Sequence, residues 1–214
     1  MAKTKLMLLG PPGAGKGTQA HQLVDRYGIP QVSTGDRPRA ARRKGTELGE
    51  EAGSYMDAGE LVPDEVVIGI VEERLSEPDA EDGFILDGFP RTRQQAEALA
   101  EMGVELESVL SLEVSEEEVV RRLSGRLNCP GCGAAFHEEF DPPAEEGTCD
   151  QCGGELMKRE DDRPEAIRER LNSYTEQTEP LKEYYEEKDL LERIDGEGTP
   201  DEVAARIERA VSEG

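Results

Sequence analysis

The sequence predicts an α/β fold of three layers, in which a central parallel sheet lies between two layers of helices. Short apolar runs of strand length alternate with amphipathic segments of helical length along most of the chain. A glycine-rich loop at residues 10–18 joins the first apolar run to the first helical segment. The chain has 214 residues, of which 35% are hydrophobic, so it can bury one substantial core and carry an inserted subdomain.

The elements of the first half follow from apolar spacing and end signals. Residues 6–9 are all apolar, as in a strand that is buried on both faces. Pro63, followed by two acidic residues, opens a helix whose apolar side chains recur at helical spacing. The predicted elements are a strand at residues 4–9, a helix from the loop to about residue 27, a turn and helix start at 33–36, a helix at 45–60 that ends at Gly59, a helix from 63 to about 75, and a short strand at 84–86 that ends in Asp87.

The second half continues the alternation with one interruption. Residues 125–160 are rich in glycine, proline and cysteine and show no helical or strand periodicity. The predicted elements around them are a helix at residues 92–102 closed by Gly103, a strand at 108–114, a helix at 116–124, helical spacing at 164–188, a strand at 190–194 and a helix at 200–212.

Residues 10–18 have the sequence expected of a phosphate-binding loop. Glycines let the backbone approach a polyphosphate closely, and the loop N–H groups and the N-terminus of the following helix point at the anion. Lys16 adds a mobile positive charge for the outer phosphates. The alternative is a tight turn that binds nothing, but the preceding strand and the glycine-lysine pair favour a nucleoside triphosphate site.

The loop departs from the general pattern because Gly17 follows the lysine directly and Thr18 comes second. This order is typical of nucleoside monophosphate kinases. It disfavours a GTPase switch, in which the hydroxyl directly after the lysine binds Mg²⁺. The chain also has no Asn-Lys-x-Asp run for guanine.

The charge of the chain is strongly acidic. A net charge of −24 arises from 49 acidic and 25 basic residues, which we interpret as adaptation to a salt-rich cytoplasm, with an ordinary acidic protein as the alternative. The charge disfavours nucleic acid and anionic membranes as partners.

No apolar run approaches the roughly 20 residues that span a bilayer, and residues 1–5 leave no room for a signal peptide. We therefore expect a soluble, cytoplasmic protein.

The four cysteines form two Cys-x-x-Cys pairs, Cys129 with Cys132 and Cys149 with Cys152, separated by the 16 residues 133–148. This spacing predicts a structural zinc site, because four thiolates close the tetrahedron and leave no position for water. Disulfides and free thiols are the alternatives, and a reducing cytosol disfavours disulfides. His137 is an alternative zinc ligand, but we interpret it as an ordinary loop residue. A nucleic-acid-binding zinc ribbon is disfavoured by the acidic residues of this segment, which are Glu138, Glu139, Asp141, Glu145, Glu146 and Asp150.

Taken together, these motifs resemble the adenylate kinase family, in its form with a long, zinc-binding lid. The resemblance covers nearly the whole chain and rests on the order and spacing of its motifs. They are GPPGAGKGTQA at 10–20, STGD at 33–36, MDAGELVPDE at 56–65, LDGFPRT at 86–92, SGR at 124–126, the two cysteine pairs, and REDDRPEAIRERL at 159–171.

The resemblance implies the reaction ATP + AMP ⇌ 2 ADP with Mg²⁺, performed by a single chain. It divides the protein into a P-loop core at residues 1–32, 63–124 and 163–214, an AMP-binding helical segment at 33–62, and an inserted zinc-binding lid over ATP at 125–162. The partners it implies are ATP, AMP and ADP.

The resemblance also implies the roles of individual residues. The residues implied for ATP are Gly13, Ala14, Gly15, Lys16, Gly17, Thr18, Arg126, Ala135, Phe136 and Gly198. Those implied for AMP are Thr34, Arg39, Glu60, Leu61, Val62, Gly88, Phe89, Pro90, Arg91, Gln95, Arg159 and Arg170, with Gln95 contacting adenine. The catalytic set is Lys16, Arg91, Arg126, Arg159 and Arg170, Asp87 would hold Mg²⁺ through water, and Asp161 and Asp162 would pair with arginines to latch the closed lid.

One departure from the family pattern concerns AMP. The family has two apolar residues between Asp36 and Arg39, whereas this chain has Arg37 and Pro38. An apolar contact to the AMP base is lost, and Arg37 can replace it by stacking. For the chain as a whole, the alternatives are a kinase for another nucleoside monophosphate or with GTP as donor, and a P-loop ATPase or nucleotide switch that binds a partner through its zinc ribbon.

Overall fold

The computed structural model describes residues 2–35 and 47–212, with every side chain in these ranges except those of residues 47–51. Within them, seven strands form a five-stranded sheet and a separate two-stranded hairpin. The strands are β1 (Lys5–Leu9), β2 (Gln31–Ser33), β3 (Phe84–Asp87), β4 (Ser108–Glu113), β5 (Arg126–Asn128), β6 (Ala135–His137) and β7 (Leu191–Asp195).

The five-stranded sheet is parallel throughout, in the order β2-β3-β1-β4-β7. Leu8 of β1 lies opposite Asp87 of β3, and Leu9 lies opposite Ser111 of β4. The carboxyl ends of these strands therefore meet at one edge of the sheet, where ligands bind in open α/β folds.

Helices connect the strands. In the described ranges they are α1 (Lys16–Tyr27), α2 (Glu47–Ala58), α3 (Asp64–Leu75), α4 (Arg93–Glu101), α5 (Glu116–Ser124), α6 (Pro164–Ser173), α7 (Leu181–Glu186) and α8 (Pro200–Ser212). Single 3₁₀ turns occur at Pro78–Ala80 and Glu160–Asp162, and a π turn at Tyr174–Thr178 comes directly after α6. None of the described helices combines the length and hydropathy needed to cross a bilayer.

The core has two halves, one on each face of the sheet. Leu6 and Leu8 point to the face covered by α1 and α8, and Met7 and Leu9 point to the face covered by α3, α4 and α7. Because successive strand residues alternate in direction, a strand buried on both faces must be apolar at every position. This arrangement confirms the predicted three-layer α/β fold.

Differences from the predicted elements lie in the short strands and in one long helical segment. β2 and the β5–β6 hairpin were not predicted, because three-residue strands carry too little periodicity. The helical spacing at residues 164–188 corresponds to α6, the π turn and α7 in succession. The helix start predicted at residues 33–36 begins with a turn at Thr34 and Gly35, and its continuation lies outside the described residues.

Candidate active site and metal centre

The phosphate-loop candidate comes after β1 and ends where α1 begins at Lys16, which places it at the carboxyl edge of the sheet. Gly13 has φ +82°, and a Cβ there would lie 2.9 Å from Cγ of Leu123. A larger residue would therefore both strain the backbone and displace α5 from the loop. The loop and Gly17 and Thr18 of α1 line a single large cleft.

Lys16 reaches back over its own loop. Its Nζ donates to the carbonyl oxygens of Gly10 at 2.6 Å and Pro11 at 2.8 Å. Desolvation by burial lowers the pKa of Lys16 to about 7, and this shift prevails although the carboxylate of Asp87 opposes it. Arg91, Arg170 and Arg126 lower this pKa further by charge repulsion. The amine therefore lies in a cationic environment that a polyanion would relieve.

Asp87 ends β3 beside the phosphate loop. Its Oδ2 accepts a hydrogen bond from Gln31 Nε2 at 2.8 Å. A Cβ on Gly17 would lie 3.7 Å from that oxygen, so the carboxylate faces the first turn of α1. Carboxylate oxygens are ligands that suit Mg²⁺, and Mg²⁺ keeps several of its waters in nucleotide sites. The donor set thus fits the predicted magnesium role.

A second phosphate-binding candidate lies in the turn after β3. Thr34 donates its hydroxyl to the carbonyl oxygen of Gly88 at 2.6 Å, and Arg91 donates Nε to the same oxygen at 2.7 Å. Gly88 has φ +79°, and a Cβ there would lie 2.7 Å from Arg91 Nη2 and 3.1 Å from Thr34 Oγ1. Glycine at this position therefore lets the guanidinium and the hydroxyl approach one another.

Gly88→Ala is expected to reduce turnover by roughly tenfold to a hundredfold, because its methyl group would displace the Arg91 guanidinium by about 1 Å. Steady-state kinetics with varied AMP measure this loss. Gly103→Ala is the matched control, since Gly103 has φ +74° but no neighbouring atom within 4 Å among the described residues. Both variants carry the same backbone strain, so equal activity in the two would contradict the steric account of Gly88.

The other predicted AMP residues occupy different environments. Glu60 and Leu61 line the cleft, whereas Val62 packs against the core. Phe89 is fully buried in the core, and Pro90 lines the cleft. Gln95 is 1% exposed, and its amide makes two hydrogen bonds inside the protein. Arg39, with the neighbouring Arg37 and Pro38, lies outside the described residues.

Asp161 and Asp162, the residues predicted for the latch, meet Arg126 and Arg170 where the predicted lid joins the core. Asp162 accepts Arg126 Nε at 2.7 Å, and Arg126 Nη2 binds its second oxygen, which completes a bidentate pair. Arg170 donates Nη1 to the same carboxylate at 3.0 Å and to the carbonyl oxygen of Asp161 at 2.9 Å. The side chain of Asp162 is 1% exposed, so this pairing is shielded from water and from salt.

The remaining predicted residues line the same cleft from its other side. Arg159 donates Nε to Asn128 Oδ1 and so lies beside the β5–β6 hairpin. Ala135 and Phe136 of that hairpin and Gly198 before α8 also line the cleft. The structure thus gathers Lys16 and the predicted arginines, apart from Arg39, around one cavity.

Arg122 is a cleft residue to which the sequence motifs assign no role. It donates Nε to Glu118 at 2.8 Å and Nη2 to the carbonyl oxygen of Gly196 at 3.1 Å, and its Nη1 lies 3.4 Å from the carbonyl oxygen of Ala14. It therefore ties α5, the phosphate loop and the loop before α8 together. The sequence signal for it was its place beside Arg121, four residues before the predicted catalytic residue Arg126.

The four cysteine sulfurs converge outside the sheet, and all lie within 4.8 Å of one another. The Sγ–Sγ distances are 3.4 Å for Cys129 with Cys152 and 3.6 Å for Cys132 with Cys149. A tetrahedral zinc with Zn–S bonds of about 2.3 Å requires about 3.8 Å between sulfurs, so the cluster fits zinc. Backbone N–H groups of Cys132 and Gly131 help to lower the pKa of the Cys129 thiol to about 6, which favours the thiolate that binds metal.

Two equivalent turns present these sulfurs. Cys129 accepts at its carbonyl oxygen from Gly133 N–H at 2.8 Å, and Cys149 accepts from Gly153 N–H at the same distance. The first cysteine of each pair is buried and the second is exposed. Cys129, Cys149 and Leu156 form a small separate core, against which Leu127, Ala134 and Phe136 pack. The hairpin that lines the cleft is thus built on the cysteine cluster.

A phosphate loop at the carboxyl edge of a parallel sheet, facing converging arginines across one cleft, defines a P-loop phosphotransferase. The family model for adenylate kinase matches residues 8–190. The chain is 56% identical to the adenylate kinase of Archaeoglobus fulgidus over 97% of this chain and 99% of that protein. It is 54% identical to the adenylate kinase of Carboxydothermus hydrogenoformans, over 97% of this chain and 99% of that protein. It is 56% identical to the adenylate kinase of Methanosarcina barkeri, over 94% of this chain and 95% of that protein. The chain belongs to the adenylate kinase family.

Proposed function

We propose that this adenylate kinase transfers the terminal phosphoryl group of ATP to AMP, forming two ADP, through residues of the described cleft and others that support them. The observation that carries the assignment of residues is the convergence of Lys16, Arg91, Arg126 and Arg170 on one cavity, where each of the three arginines affects the pKa of the lysine. Formation of ADP that depends on AMP tests the activity, and the variants below test the residues.

The chemistry needs cations more than it needs a base. The acceptor is a phosphate oxygen of AMP, which is already anionic near neutral pH. The difficulty is to bring two polyanions together and to stabilise the charge of the transferring group, which positioned cations and exclusion of water achieve. Mg²⁺ bound with ATP neutralises charge on the phosphate oxygens, and Asp87 is the residue that would hold it through water.

On the donor side, Gly13 to Thr18 hold the phosphates of ATP through backbone N–H groups and Lys16 Nζ. The amine exchanges its two carbonyl partners in the loop for phosphate oxygens, because an ionised acceptor gives the stronger hydrogen bond. Ala135 and Phe136 lie beside the base, and Gly198 offers it a backbone contact.

On the acceptor side, Arg91 and Arg39 clamp the phosphate of AMP. Thr34, Gly88, Phe89 and Pro90 shape the turn that presents Arg91, as the shared carbonyl of Gly88 supports. Glu60 and Leu61 line the acceptor side, whereas Val62 packs against the core behind it. The Gln95 amide is hydrogen-bonded to Arg91 and Asp64, so the proposed contact of Gln95 with adenine requires it to exchange one of these partners. Arg126, Arg159 and Arg170 stabilise the transferring group between the two nucleotides.

The chain divides functionally into a core, an AMP-binding segment at residues 33–62 and a lid at residues 125–162. Asp162 joins Arg126 at the start of the lid to Arg170 of the core, so it fits the latch of a closed lid.

Turnover with a panel of nucleoside monophosphates and with GTP as donor tests the base selectivity, and release of free phosphate without AMP would indicate an ATPase instead.

Zinc in the cysteine cluster holds the lid together. Cys152→Ser is expected to reduce the bound zinc from one ion per chain to almost none, because a serine hydroxyl is a poor replacement for a thiolate. The lid then becomes protease-sensitive while the core stays protected, since the cluster packs with its own small core. Elemental analysis and limited proteolysis measure the two effects. His137→Ala, which changes the alternative ligand, should keep its zinc, and an unchanged zinc content in Cys152→Ser would contradict the four-thiolate site.

The acidic surface suits a salt-rich cytoplasm and a monomeric enzyme. A net charge of −24 makes the folded chain repel itself at low ionic strength. Thermal unfolding should therefore shift upward between dilute buffer and molar KCl, and sedimentation velocity in the same solutions should give a single chain at both salt concentrations.

A further inference from the structure

Side chains hold both backbone polar groups of Arg91, one from four residues further along the chain and one from 87 residues further along. Its N–H donates to Gln95 Oε1 at 2.7 Å, and its carbonyl oxygen accepts from Thr178 Oγ1 at 2.8 Å. Gln95 is 1% exposed and Thr178 is 6% exposed. These hydrogen bonds are thus shielded from water, which makes their loss costly.

The amide of Gln95 is itself fixed by Asp64. Gln95 Nε2 donates to Asp64 Oδ1 at 2.6 Å, and Thr92 Oγ1 donates to the second oxygen of that carboxylate at 2.9 Å. The Thr92 hydroxyl also accepts from Gln95 N–H at 3.2 Å and so caps α4. A carboxylate can only accept hydrogen bonds, so it binds the NH₂ group of the Gln95 amide. The amide oxygen is therefore the end that faces the Arg91 N–H.

Thr178 connects Arg91 to the helix that carries Arg170. Thr178 is the last residue of the π turn after α6, and Glu179 N–H closes this turn by donating to the carbonyl oxygen of Tyr174 at 2.8 Å. A π turn inserts one residue into a helix and so rotates the residues beyond it, and such turns are frequent at functional sites. Thr178, at the end of this turn, donates its hydroxyl to the Arg91 carbonyl oxygen.

We propose that Thr178, and Asp64 acting through Gln95, are positioning residues that hold the Arg91 backbone in place for phosphoryl transfer. The proposal rests on the proposed role of Arg91 as a phosphate clamp. The guanidinium is fixed locally by the Gly88 carbonyl, which belongs to the same turn, so the turn and the guanidinium move together. The two outer anchors therefore determine where this whole turn lies relative to Arg170 and to the phosphate loop.

The test compares Thr178→Val, which keeps the shape but removes the hydroxyl, with Thr178→Ser, which keeps the hydroxyl. Thr178→Val is expected to lower kcat about tenfold and to leave KM for ATP within a factor of about two, because small displacements of a clamp affect the transferring group most. Thr178→Ser should restore most of the activity. Tyr185→Phe is the matched control, since it removes a buried hydroxyl seven residues away that has no hydrogen-bond partner in the described part of the chain.

A double-mutant cycle separates positioning from general structural damage. In an Arg91→Ala background, Thr178→Val should cost less than a further factor of about two, because the group that it positions is already absent. A full tenfold loss in that background, equal activity in Thr178→Val and the wild type, or failure of Thr178→Ser to restore activity would each overturn the proposal.

Asp64→Ala provides the second variant if Thr178→Val does not fold. It removes the anchor of Gln95 without touching the cleft lining, and it should show the same loss of kcat and the same dependence on Arg91. Asp64→Ala with wild-type turnover would overturn the Asp64 part of the proposal. A wild-type enzyme that forms no ADP from ATP and AMP would overturn the proposed function instead, so the two failures are distinguishable.

Discussion

Arg91→Ala lowers turnover by roughly a factor of 10³ and leaves the free energy of unfolding nearly unchanged, if Arg91 clamps the phosphate as proposed. The guanidinium lines the cleft and donates to the carbonyl oxygen of the neighbouring Gly88, so its removal opens no large cavity in the core. The loss instead falls on the state in which charge is spread over the transferring group. Single-turnover measurement of ADP formation gives the loss directly, and thermal unfolding gives the stability.

Arg93→Ala is the matched control for this prediction. Arg93 lies two residues further along, pairs with Glu97 at 2.9 Å and has a side chain that is 68% exposed. Removing it should change turnover by less than a factor of about two, since exposed ion pairs contribute little. Near-normal turnover in Arg91→Ala, or an equal loss in the two variants, would contradict the clamp.

Lys16→Met is expected to reduce turnover by a similar or larger factor, about 10³, because it removes the cation nearest the proposed donor phosphates. The variant should fold, since Lys16 Nζ donates to two carbonyl oxygens of its own loop and not to a distant element of the described structure. Lys3→Met is the control, because Lys3 pairs at 3.7 Å with the half-exposed Glu192 and neither residue lines the cleft. Turnover of Lys16→Met within tenfold of the wild type would contradict the assigned role.

The lowered pKa of Lys16 makes both the free energy of unfolding and nucleotide binding depend on pH. Its pKa of about 7 in the folded protein lies below the 10.5 of a free lysine, so between these values the folded state binds fewer protons than the unfolded state. This group therefore makes the free energy of unfolding rise with pH across that window, and Lys16→Met should lose this contribution.

Bound phosphates should raise the pKa of Lys16 again, so ATP binding at pH 8 should take up protons. Titration calorimetry in two buffers of different ionisation enthalpy measures that uptake, and none would contradict the shifted pKa.

The parts of the fold that could be predicted from the sequence are those in which a local pattern reflects burial. The run at residues 6–9 is apolar at each position because both faces of β1 are covered, and helix α3 begins where Pro63 and its acidic neighbours predict. β2 could not be predicted, since Gln31 is polar and the strand exists through its pairing with β3. Its register, with Ser33 opposite Asp87, is a long-range property.

In the candidate site, too, the features set by local sequence pattern could be predicted and those set by long-range contacts could not. The two cysteine pairs predicted a cluster because two tight turns of identical spacing present their sulfurs in the same way, and the structure places the four sulfurs together. The environment of Gln95 could not be predicted, because it depends on Asp64, 31 residues away. The contact of Thr178 with Arg91 spans 87 residues, and Thr178 lies in a π turn that has no simple sequence signature. Contacts of this kind arise from packing and not from local pattern.

The most direct test of the central claim is the formation of ADP from ATP, AMP and Mg²⁺, with AMP omitted in a parallel reaction. We expect rapid formation of two ADP for each AMP consumed, in molar KCl, with no release of free phosphate and no reaction when AMP is absent. Release of phosphate from ATP at the same rate with and without AMP, or no ADP at any salt concentration, would contradict it.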